Sequence, residues 1–388
     1  MLMFKKYQYY IRIVSSKIIH LLFASYKNEI MTYKIKLICT KVIPVLIFLQ
    51  FFQLAIAQNN WKQLDSMLDK NRSALGNNAV CLIWKNDSLI YQKETGNYSD
   101  NTVAPIASCS KWLTAALVMQ FVDEGKLSLD DKVSAYLPAF EKNGKEEITI
   151  RNTLCHMTGI EADKAGSLRS ILNRRKFKNL GEEVNSFTAH KQIAAPGTEF
   201  RYNGVGLNIA GHIIEKITGK KFEDVIKEKL FLPLGMTQTT FAEEKAVPVN
   251  PSGGAKSTAN DYSKFLMMLL NKGVFNDKRI LSENSIELMR KAQDSPEQIK
   301  YAPKAGEGKT YALGSWIMDD KNRKMEDRKG EIATVLSSPG LFGTWPMIDY
   351  CRGYAYIFFV KNFLGDQRAS IHLEIKKMID KQIPQGCN

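Results

Sequence analysis

The spacing of apolar residues along the chain predicts its helices and strands, starting with one helix and one strand pair. Residues 61–75 carry leucine and methionine at helical spacing, which predicts an amphipathic helix. Two apolar runs follow at 79–84 and 88–91, and the polar residues 85–87 between them predict a turn. We therefore expect this pair of runs to form a β-hairpin.

The middle of the chain is mainly helical by the same criterion. Residues 111–124 have apolar side chains at helical spacing and stop at Gly125, which predicts a long buried helix entered from Ser108. Further helices are predicted at residues 206–218, 222–231 and 259–273.

Strand-like runs return near the carboxyl end and are followed by a closing helix. The strands are predicted at residues 311–318, 342–348 and 354–360, and the helix at 370–383. This order favours the α/β (α+β) class, with an antiparallel sheet from both chain ends, flanking helices and an inserted helical lobe. We expect a sheet lobe over about 58–107 and 305–388, and a helical lobe over about 108–304.

The amino-terminal region predicts a leader for export. Three lysines precede the apolar run 42–54, and residues 55–57 have the sequence Ala-Ile-Ala, a small-x-small cleavage pattern. We expect cleavage before Gln58, with Met31 as the true start and a periplasmic or extracellular location. An uncleaved anchor is the alternative, although the run is shorter than the roughly 20 residues of a membrane-spanning helix.

The formal charge of +14 falls once the leader is set aside. Residues 1–57 hold eight Lys or Arg and one Glu, so residues 58–388 carry only +7. This mild basicity argues against a nucleic-acid partner. The densest basic patch, residues 169–178, is expected to be a solvated helical face, with contact to an anionic cell-envelope polymer as the alternative. The expected partner is a small-molecule or peptide substrate of a monomer.

The cysteines indicate neither a metal site nor a cofactor. Of six cysteines, Cys39 lies in the leader, and the remaining five form no C-x-x-C pair and no cluster with histidine at ligand spacing. An oxidising compartment permits a disulfide, but an odd number leaves at least one thiol unpaired. Buried free cysteines are therefore expected.

Residues 108–111, Ser-Cys-Ser-Lys, carry the strongest chemical signal. A spacing of three places the hydroxyl of Ser108 and the amine of Lys111 on one helix face. Burial and the positive end of the helix dipole both favour a neutral amine, which can accept the serine proton. No other serine has a lysine at this offset. The spacing predicts Ser108 as an acylating nucleophile and Lys111 as its activating base.

The sequence around this motif continues in a specific order. IASCSK at 106–111 is followed by EGKLSLDD at 124–131, ITIRNTLCHMTG at 148–159, PGTEFRY at 196–202 and STAND at 257–261. These segments resemble the penicillin-binding and class C β-lactamase family, which includes D-alanyl-D-alanine carboxypeptidases and related esterases. The resemblance runs from residue 61 to the closing helix, and it implies a β-lactamase/transpeptidase-like fold and serine hydrolase activity.

The resemblance also implies roles for residues outside the nucleophile motif. Tyr202 matches the tyrosine of the family's Y-x-N motif and would share proton transfer with the lysine. The asparagine position of that motif is Gly204 here, so Asn203, one residue earlier, is the remaining candidate for contact with substrate.

The family's third motif, K-T-G or H-x-G, also departs in this chain. Its counterpart is Ser338-Pro339-Gly340, without lysine or histidine, and Ser338 and Gly340 are the candidate substrate-binding residues that the resemblance implies here. Gly340 would let substrate lie close to the strand. The resemblance further implies an oxyanion hole built from the backbone N–H groups of Ser108 and Leu341.

The missing cation at position 338 affects the expected substrate. Without it, a substrate carboxylate loses its usual partner, which favours an ester or amide lacking that group over a β-lactam. Arg201 or Arg352 reaching the cleft is the alternative. The activity remains open among esterase, peptidase and β-lactamase-like, and a weak or inactive member that binds a cell-wall peptide or protein is the rival hypothesis.

Competing motifs are incomplete. Residues 308–310 lack the earlier glycine of a phosphate-binding loop, Gly204 and Gly206 lack the third glycine of a dinucleotide site, and no G-x-S-x-G occurs. His156 is expected to be a structural hydrogen-bonding residue rather than a base.

Overall fold

A six-stranded antiparallel sheet dominates the structure. The structure is a computed structural model, and it describes residues 61–163, 174–242, 248–319, 330–362, 368–384 and 386. The strands of the described residues are β1 (Ala79–Lys85), β2 (Ser88–Thr95), β3 (Ala104–Pro105), β4 (Phe200–Arg201), β5 (Lys256–Ser257), β6 (Val274–Phe275), β7 (Lys278–Arg279), β8 (Ile299–Tyr301), β9 (Trp316–Ile317), β10 (Val335–Ser337), β11 (Trp345–Asp349) and β12 (Tyr354–Val360). The order in the large sheet is β2-β1-β12-β11-β10-β9.

The large sheet joins the two ends of the described chain. β1 pairs with β12 in antiparallel register, with Ala79 opposite Val360 and Cys81 opposite Phe358. β1 also pairs with β2, and the turn residues Asn86 and Asp87 both have positive φ, at 50° and 57°. Two left-handed residues match the twist of a two-residue hairpin. The α/β class, the antiparallel sheet from both ends and the hairpin are therefore confirmed.

Two of the three predicted carboxyl-terminal strands are shorter than expected, β12 matches its predicted range 354–360, and one strand was missed. Only Trp316–Ile317 of the predicted run 311–318 is a strand, because the Ala312 N–H bonds back to the Ser315 carbonyl at 2.8 Å around Gly314, whose φ is 81°. β11 starts at Trp345 because Gly343, with a φ of 94°, turns the chain before it. β10 was not predicted, since three residues are too few for a clear alternation.

Helices fill most of the chain between the two groups of sheet strands. The described α-helices are α1 (Lys62–Lys70), α2 (Ser110–Asp123), α3 (Val133–Tyr136), α4 (Ile150–Leu154), α5 (Leu180–Ser186), α6 (Val205–Thr218), α7 (Phe222–Ile226), α8 (Leu232–Leu234), α9 (Ala259–Leu270), α10 (Glu283–Arg290) and α11 (Ala369–Gln382). A π-helical segment, Lys227–Phe231, joins α7 to α8.

Helix α2 is the buried centre of the helical part. It packs against α6 and α10, and nearly all its side chains are buried, which agrees with its apolar composition on every face. The chain leaves α2 through Gly125 in the left-handed conformation, with a φ of 66°. Helix α9 lies within the range of the predicted helical lobe but packs against β1, β11 and β12.

The contacts divide the chain into residues 1–62 and 63–388. The predicted leader, residues 1–57, lies outside the described residues, as do residues 169–173 of the basic patch. Among the described residues, no helix combines the length and apolar character needed to cross a membrane.

Candidate active site

Ser108, the candidate nucleophile, lies in a tight turn ahead of helix α2, here called the nucleophile turn. Ala107–Cys109 form one turn of 3-10 helix, and Ala107 has a φ of 44°, a conformation that costs a non-glycine residue roughly 1–2 kcal/mol. The surroundings hold this turn from two directions. The Ile106 N–H donates to the Ala255 carbonyl at 3.0 Å, and the Tyr262 hydroxyl donates to the Cys109 carbonyl at 2.9 Å.

Lys111 is adjacent to Ser108, as the spacing predicts. Its Nζ atom lies 3.1 Å from Ser108 Oγ and donates to the Ser252 carbonyl at 2.7 Å. Only 2% of Lys111 is exposed. Burial lowers the pKa of Lys111 to about 7, because a buried ammonium loses its hydration. A large fraction of the amine is therefore neutral near pH 7 and able to accept the serine proton.

The two residues between Ser108 and Lys111 have structural contacts instead. The Ser110 hydroxyl oxygen is buried and accepts the Ala255 N–H at 3.0 Å. Cys109 is also buried, its Sγ lies 3.6 Å from the Thr344 carbonyl, and burial raises the pKa of its thiol. A protonated, buried thiol is a poor nucleophile. Ser108 lines a large cavity, whereas Cys109 and Ser110 are not among its described lining residues.

Tyr202 lies beside the lysine, between β4 and α6. Lys111 Nζ is 4.8 Å from the centre of the Tyr202 ring. The ring is buried against His156 and Trp316, with centroid distances of 4.4 and 5.3 Å. Tyr202, which is distant in sequence, therefore lines the same cavity as Ser108 and Lys111.

His156 orients the backbone near Tyr202. Its Nδ1 accepts the Asn203 N–H at 3.4 Å, so Nε2 carries the proton and donates towards Tyr311 Oη at 3.3 Å. Burial keeps the pKa of His156 well below its ordinary value, so the ring is neutral. These contacts agree with the structural role expected from the sequence.

The Asn203 side chain makes local backbone contacts. Its amide nitrogen donates to the Arg201 carbonyl at 2.8 Å, and its amide oxygen accepts the Val205 N–H at 2.9 Å, at the start of α6. It is not among the described residues that line the cavity. The structure therefore gives no support to Asn203 as a substrate contact.

The Ser338 side chain also points into the protein. Ser338 is 2% exposed, and its hydroxyl lies 3.2 Å from both the Ser108 and the Gly314 carbonyls, where its single proton is shared. A hydroxyl in this position braces the nucleophile turn. Ser338 is likewise absent from the described lining of the cavity.

Pro339, Gly340 and Leu341, the three residues that follow Ser338, line the cavity. A Cβ atom on Gly340 would lie 2.4 Å from the Ile106 carbonyl oxygen and 3.2 Å from Cys109 Sγ. Glycine is thus required by the close approach of this strand end to the nucleophile turn, in addition to any approach of substrate. Leu341 is half-buried at the cavity edge.

The cavity has a volume of about 860 Å³ and contains more positive charge than the third motif suggested. Arg174 is paired with the buried carboxylate of Glu183 at 2.8 Å. Arg175 and Lys176 line the cavity and are exposed. Lys304, which comes much later in the sequence, also lines the cavity and is exposed. The described part of the basic patch therefore borders the cleft, and its residues Arg175 and Lys176 remain exposed there.

The two arginines considered as substitutes for the missing cation lie elsewhere. Arg201 pairs with Glu199 at 2.9 Å, and Arg352 pairs with Asp349 and Asp380 at 3.4 Å. Neither is among the described residues that line the cavity.

Sequence reasoning missed a segment that completes the site. Ser252 supplies the carbonyl that Lys111 contacts, and Asn250, Gly253 and Gly254 line the cavity with it. The cluster of Asn, Pro, Ser and Gly at 250–254 is typical of a loop, but nothing in it indicates which side chains face a cleft.

The described residues contain three free thiols and one disulfide-bonded cysteine. Cys81, Cys109 and Cys155 are buried free thiols, whereas Cys351 is disulfide-bonded. In the described part of the chain, no group of three or more His, Cys, Asp or Glu side chains is arranged to hold a metal ion.

Comparison with known proteins agrees with this geometry. A family model described as Beta-lactamase matches residues 72–375, well over half of the chain. This chain belongs to the beta-lactamase family. Members of this family are serine hydrolases, and its structural neighbours include penicillin-binding proteins and esterases.

Three similar proteins illustrate the range of the beta-lactamase family. Penicillin-binding protein 4 of Amycolatopsis lactamdurans is 30% identical over 247 residues, 56% of this chain and 64% of that one. A candidate beta-lactamase from Bacteroides dorei superposes with a TM-score of 0.71 at 26% identity, covering 82% of this chain and 99% of that one. EstCE1, a hydrolase with promiscuous acyltransferase activity, has a TM-score of 0.70 at 18% identity, covering 84% and 99%.

Proposed function

We propose that this protein is an exported serine hydrolase that forms an acyl-enzyme on Ser108 and acts on an ester or amide. The observation that carries the proposal is the 3.1 Å contact between Ser108 Oγ and the buried Nζ of Lys111, at the edge of a large cavity. The lowered pKa of Lys111 supports its role as the base, since a base is most effective near the working pH.

Acylation requires a proton path and a site for the developing negative charge. Neutral Lys111 accepts the Ser108 proton as Oγ attacks the carbonyl carbon, and Tyr202, beside the amine, assists transfer to the leaving group. The backbone N–H groups of Ser108 and Leu341 are the proposed donors to the oxyanion. In the second half, water attacks the acyl carbon and gives a proton to Lys111. The bond between the acyl carbon and Ser108 Oγ then breaks, Oγ takes that proton, and the carboxylic acid is released.

The preferred substrate in this proposal is a short, uncharged ester. Position 338 has no cation, and the Ser338 hydroxyl is occupied by two carbonyls. Arg175, Lys176 and Lys304 are exposed, so their attraction for a carboxylate is weak in water and screened by salt over about 8 Å at physiological ionic strength. EstCE1 offers a precedent for hydrolase chemistry on this fold.

The alternative function is a weak or inactive protein that binds a cell-wall peptide or protein partner. It rests on the absence of the usual residues at 204 and 338. The intact contact between Ser108 and Lys111, with Tyr202 beside it, favours the enzyme.

Export is supported by the predicted leader and by one covalent feature. Cys351 is disulfide-bonded, and such bonds persist in oxidising compartments outside the cytosol. A location in the cell envelope and a monomeric state are part of the proposal.

The proposed chemistry is tested by intact mass after incubation with a fluorophosphonate probe and, separately, with a penicillin. We expect one fluorophosphonate adduct on Ser108, little or no penicillin adduct, and no adduct in Ser108→Ala. Ser110→Ala is the matched control. It removes the acceptor of the Ala255 N–H, so we expect a stability loss of roughly 1–3 kcal/mol with labelling retained.

The outcomes separate the candidate functions. Labelling by both reagents would indicate a penicillin-recognising enzyme, and labelling by neither would favour the binding protein. An adduct mapped to Ser110 or Cys109 would overturn the assignment of the nucleophile.

A further inference from the structure

The position of the missing family asparagine is filled from another part of the chain. Gly204 lines the cavity at the place where the Y-x-N motif carries its amide. A Cβ atom built on Gly204 would lie 2.8 Å from the hydroxyl oxygen of Ser252 and 3.6 Å from its Cβ. A side chain at 204 would therefore displace the Ser252 hydroxyl from its present position, and this chain has glycine there.

The Ser252 hydroxyl orients an amide in the same cavity. It donates to Asn250 Oδ1 at 2.8 Å, and both residues line the cavity. The Asn250 carbonyl accepts the N–H groups of Gly253 and Gly254 at 3.0 and 2.7 Å, which folds residues 250–254 into a tight turn. With Oδ1 occupied, Nδ2 of Asn250 donates to none of the described residues.

The segment that carries Asn250 is fixed to the nucleophile helix. Thr114 Oγ1 donates to the Pro251 carbonyl at 2.7 Å, and Lys111 Nζ donates to the Ser252 carbonyl at 2.7 Å. Both contacts are buried, and they come from α2, which begins two residues after Ser108. These hydrogen bonds therefore set the distance between residues 250–254 and Ser108.

A second buried group holds the segment from the side of α6. The Ser252 N–H donates to Asn208 Oδ1 at 3.0 Å, and Asn208 Nδ2 donates to Glu183 Oε1 at 3.1 Å. Glu183, 3% exposed, is neutralised by Arg174, which also donates to the Val249 carbonyl at 3.0 Å. A satisfied buried network of this kind gives a single orientation to the loop it supports.

We propose that Asn250, oriented by Ser252, is a specificity-determining residue of this site and binds the amide carbonyl of an acylamino group on the acyl side of the substrate. The Asn250 amide takes over the role that the family gives to the residue at position 204. This inference rests on the proposed hydrolase function, and it extends the substrate class from simple esters to N-acylamino esters or amides.

The test compares two esters with the same leaving group, p-nitrophenyl acetate and N-acetylglycine p-nitrophenyl ester. We expect Asn250→Ala to lower kcat/KM about tenfold for the N-acetylglycine ester, the loss of one neutral hydrogen bond, and less than about twofold for the acetate. Ser252→Ala should give a smaller loss of kcat/KM, again mainly for the N-acetylglycine ester, because the Asn250 amide remains but is no longer oriented. The matched control is Asn143→Ala, an exposed asparagine whose amide bonds to the Ala139 carbonyl.

A relocation variant makes the test independent of simple damage to the loop. Gly204→Asn combined with Ser252→Ala and Asn250→Ala places the amide at the family position, since removing Oγ leaves only the ordinary 3.6 Å contact. We expect this triple variant to recover most of the lost selectivity for the N-acetylglycine ester.

Two results would overturn the inference. Equal losses for both esters would mean that Asn250 supports the nucleophile and does not bind substrate, and no loss for either would mean that its amide is not used. If the wild-type protein hydrolyses neither ester and Ser108 is not labelled by a fluorophosphonate, the proposed hydrolase function has failed as well. If the wild-type protein is labelled on Ser108 and hydrolyses the esters, but the variants do not discriminate between them, only the Asn250 proposal is contradicted.

Discussion

At the scale of single residues, the proposed acylation depends on the protonation state of Lys111. An amine in water is charged at neutral pH, but burial of Lys111 lowers its pKa to about 7. The two contacts of Nζ, with Ser108 Oγ and the Ser252 carbonyl, keep it in place in either state. A base with a pKa near the working pH is effective, because it is both deprotonated and able to hold a proton.

The pH dependence of acylation follows from this pKa. Only the neutral amine accepts the Ser108 proton, so kcat/KM for an uncharged ester should rise with pH through an inflection near 7 and approach a tenfold change per unit well below it. The measurement is a pH profile of kcat/KM, with thermal unfolding followed over the same range to exclude loss of structure. A flat profile between about pH 5 and 9 would contradict Lys111 as the base.

The close approach at Gly340 gives a second prediction at this scale. Gly340→Ala places a Cβ 2.4 Å from the Ile106 carbonyl oxygen, so the strand end or the nucleophile turn must shift. We expect fluorophosphonate labelling of Ser108 to slow at least tenfold, because small displacements of a catalytic group are costly.

Gly125→Ala is the control for Gly340→Ala. Gly125 has a φ of 66° and no atom within 4 Å of an added Cβ, so its substitution strains the backbone without touching the site. Slower labelling in both variants would indicate general destabilisation in place of a local clash.

At the scale of elements, the junction of β5 and α9 supports the nucleophile turn. β5 pairs with β3, which directly precedes that turn, and α9 packs on the large sheet. Thr258 lies between them as the N-cap of α9, where its buried hydroxyl accepts the Asp261 N–H at 3.0 Å. The cap thus links the sheet-packed helix to the strand that holds Ser108 in position.

Removal of this cap should reduce stability measurably. We expect Thr258→Ala to lower the free energy of unfolding by about 1–2 kcal/mol and Thr258→Ser to restore most of it, since serine keeps the capping oxygen. Chemical denaturation measures both. Thr198→Ala, which removes an exposed hydroxyl bonded to the Ala195 carbonyl, is the control, and an equal loss there would argue against a capping effect.

At the scale of the whole molecule, the chain combines a predicted leader with a hydrolase domain that contains a disulfide-bonded cysteine. We expect exported protein to begin at Gln58, because the Ala-Ile-Ala site at 55–57 ends the apolar run. Amino-terminal sequencing of exported material tests this prediction. Ala57→Arg should block cleavage and leave the leader attached. Recovery of the wild-type protein as a membrane-held chain that keeps residues 42–54 would contradict the predicted cleavage before Gln58.

The amino-acid sequence alone determined the local elements and the candidate pair Ser108 and Lys111. The helical spacing of α6 and α11 and the hairpin of β1 and β2 follow from side-chain patterns that hold over many residues. The pairing of Ser108 with Lys111 follows from one helical turn, a separation fixed by local geometry. These features need no information from distant parts of the chain.

Only the tertiary structure decided which distant groups share the cavity and which turn away from it. Asn203 and Ser338 were predicted to contact substrate, but their side chains bond to nearby backbone groups that the sequence does not show. Asn250 and Ser252 form part of the site because buried hydrogen bonds from α2 and α6 hold their loop there. Asn203 is turned by local bonds to its own backbone neighbours. The contacts of Ser338 and of the 250–254 loop join residues that are distant in sequence, so no local pattern encodes their side-chain directions.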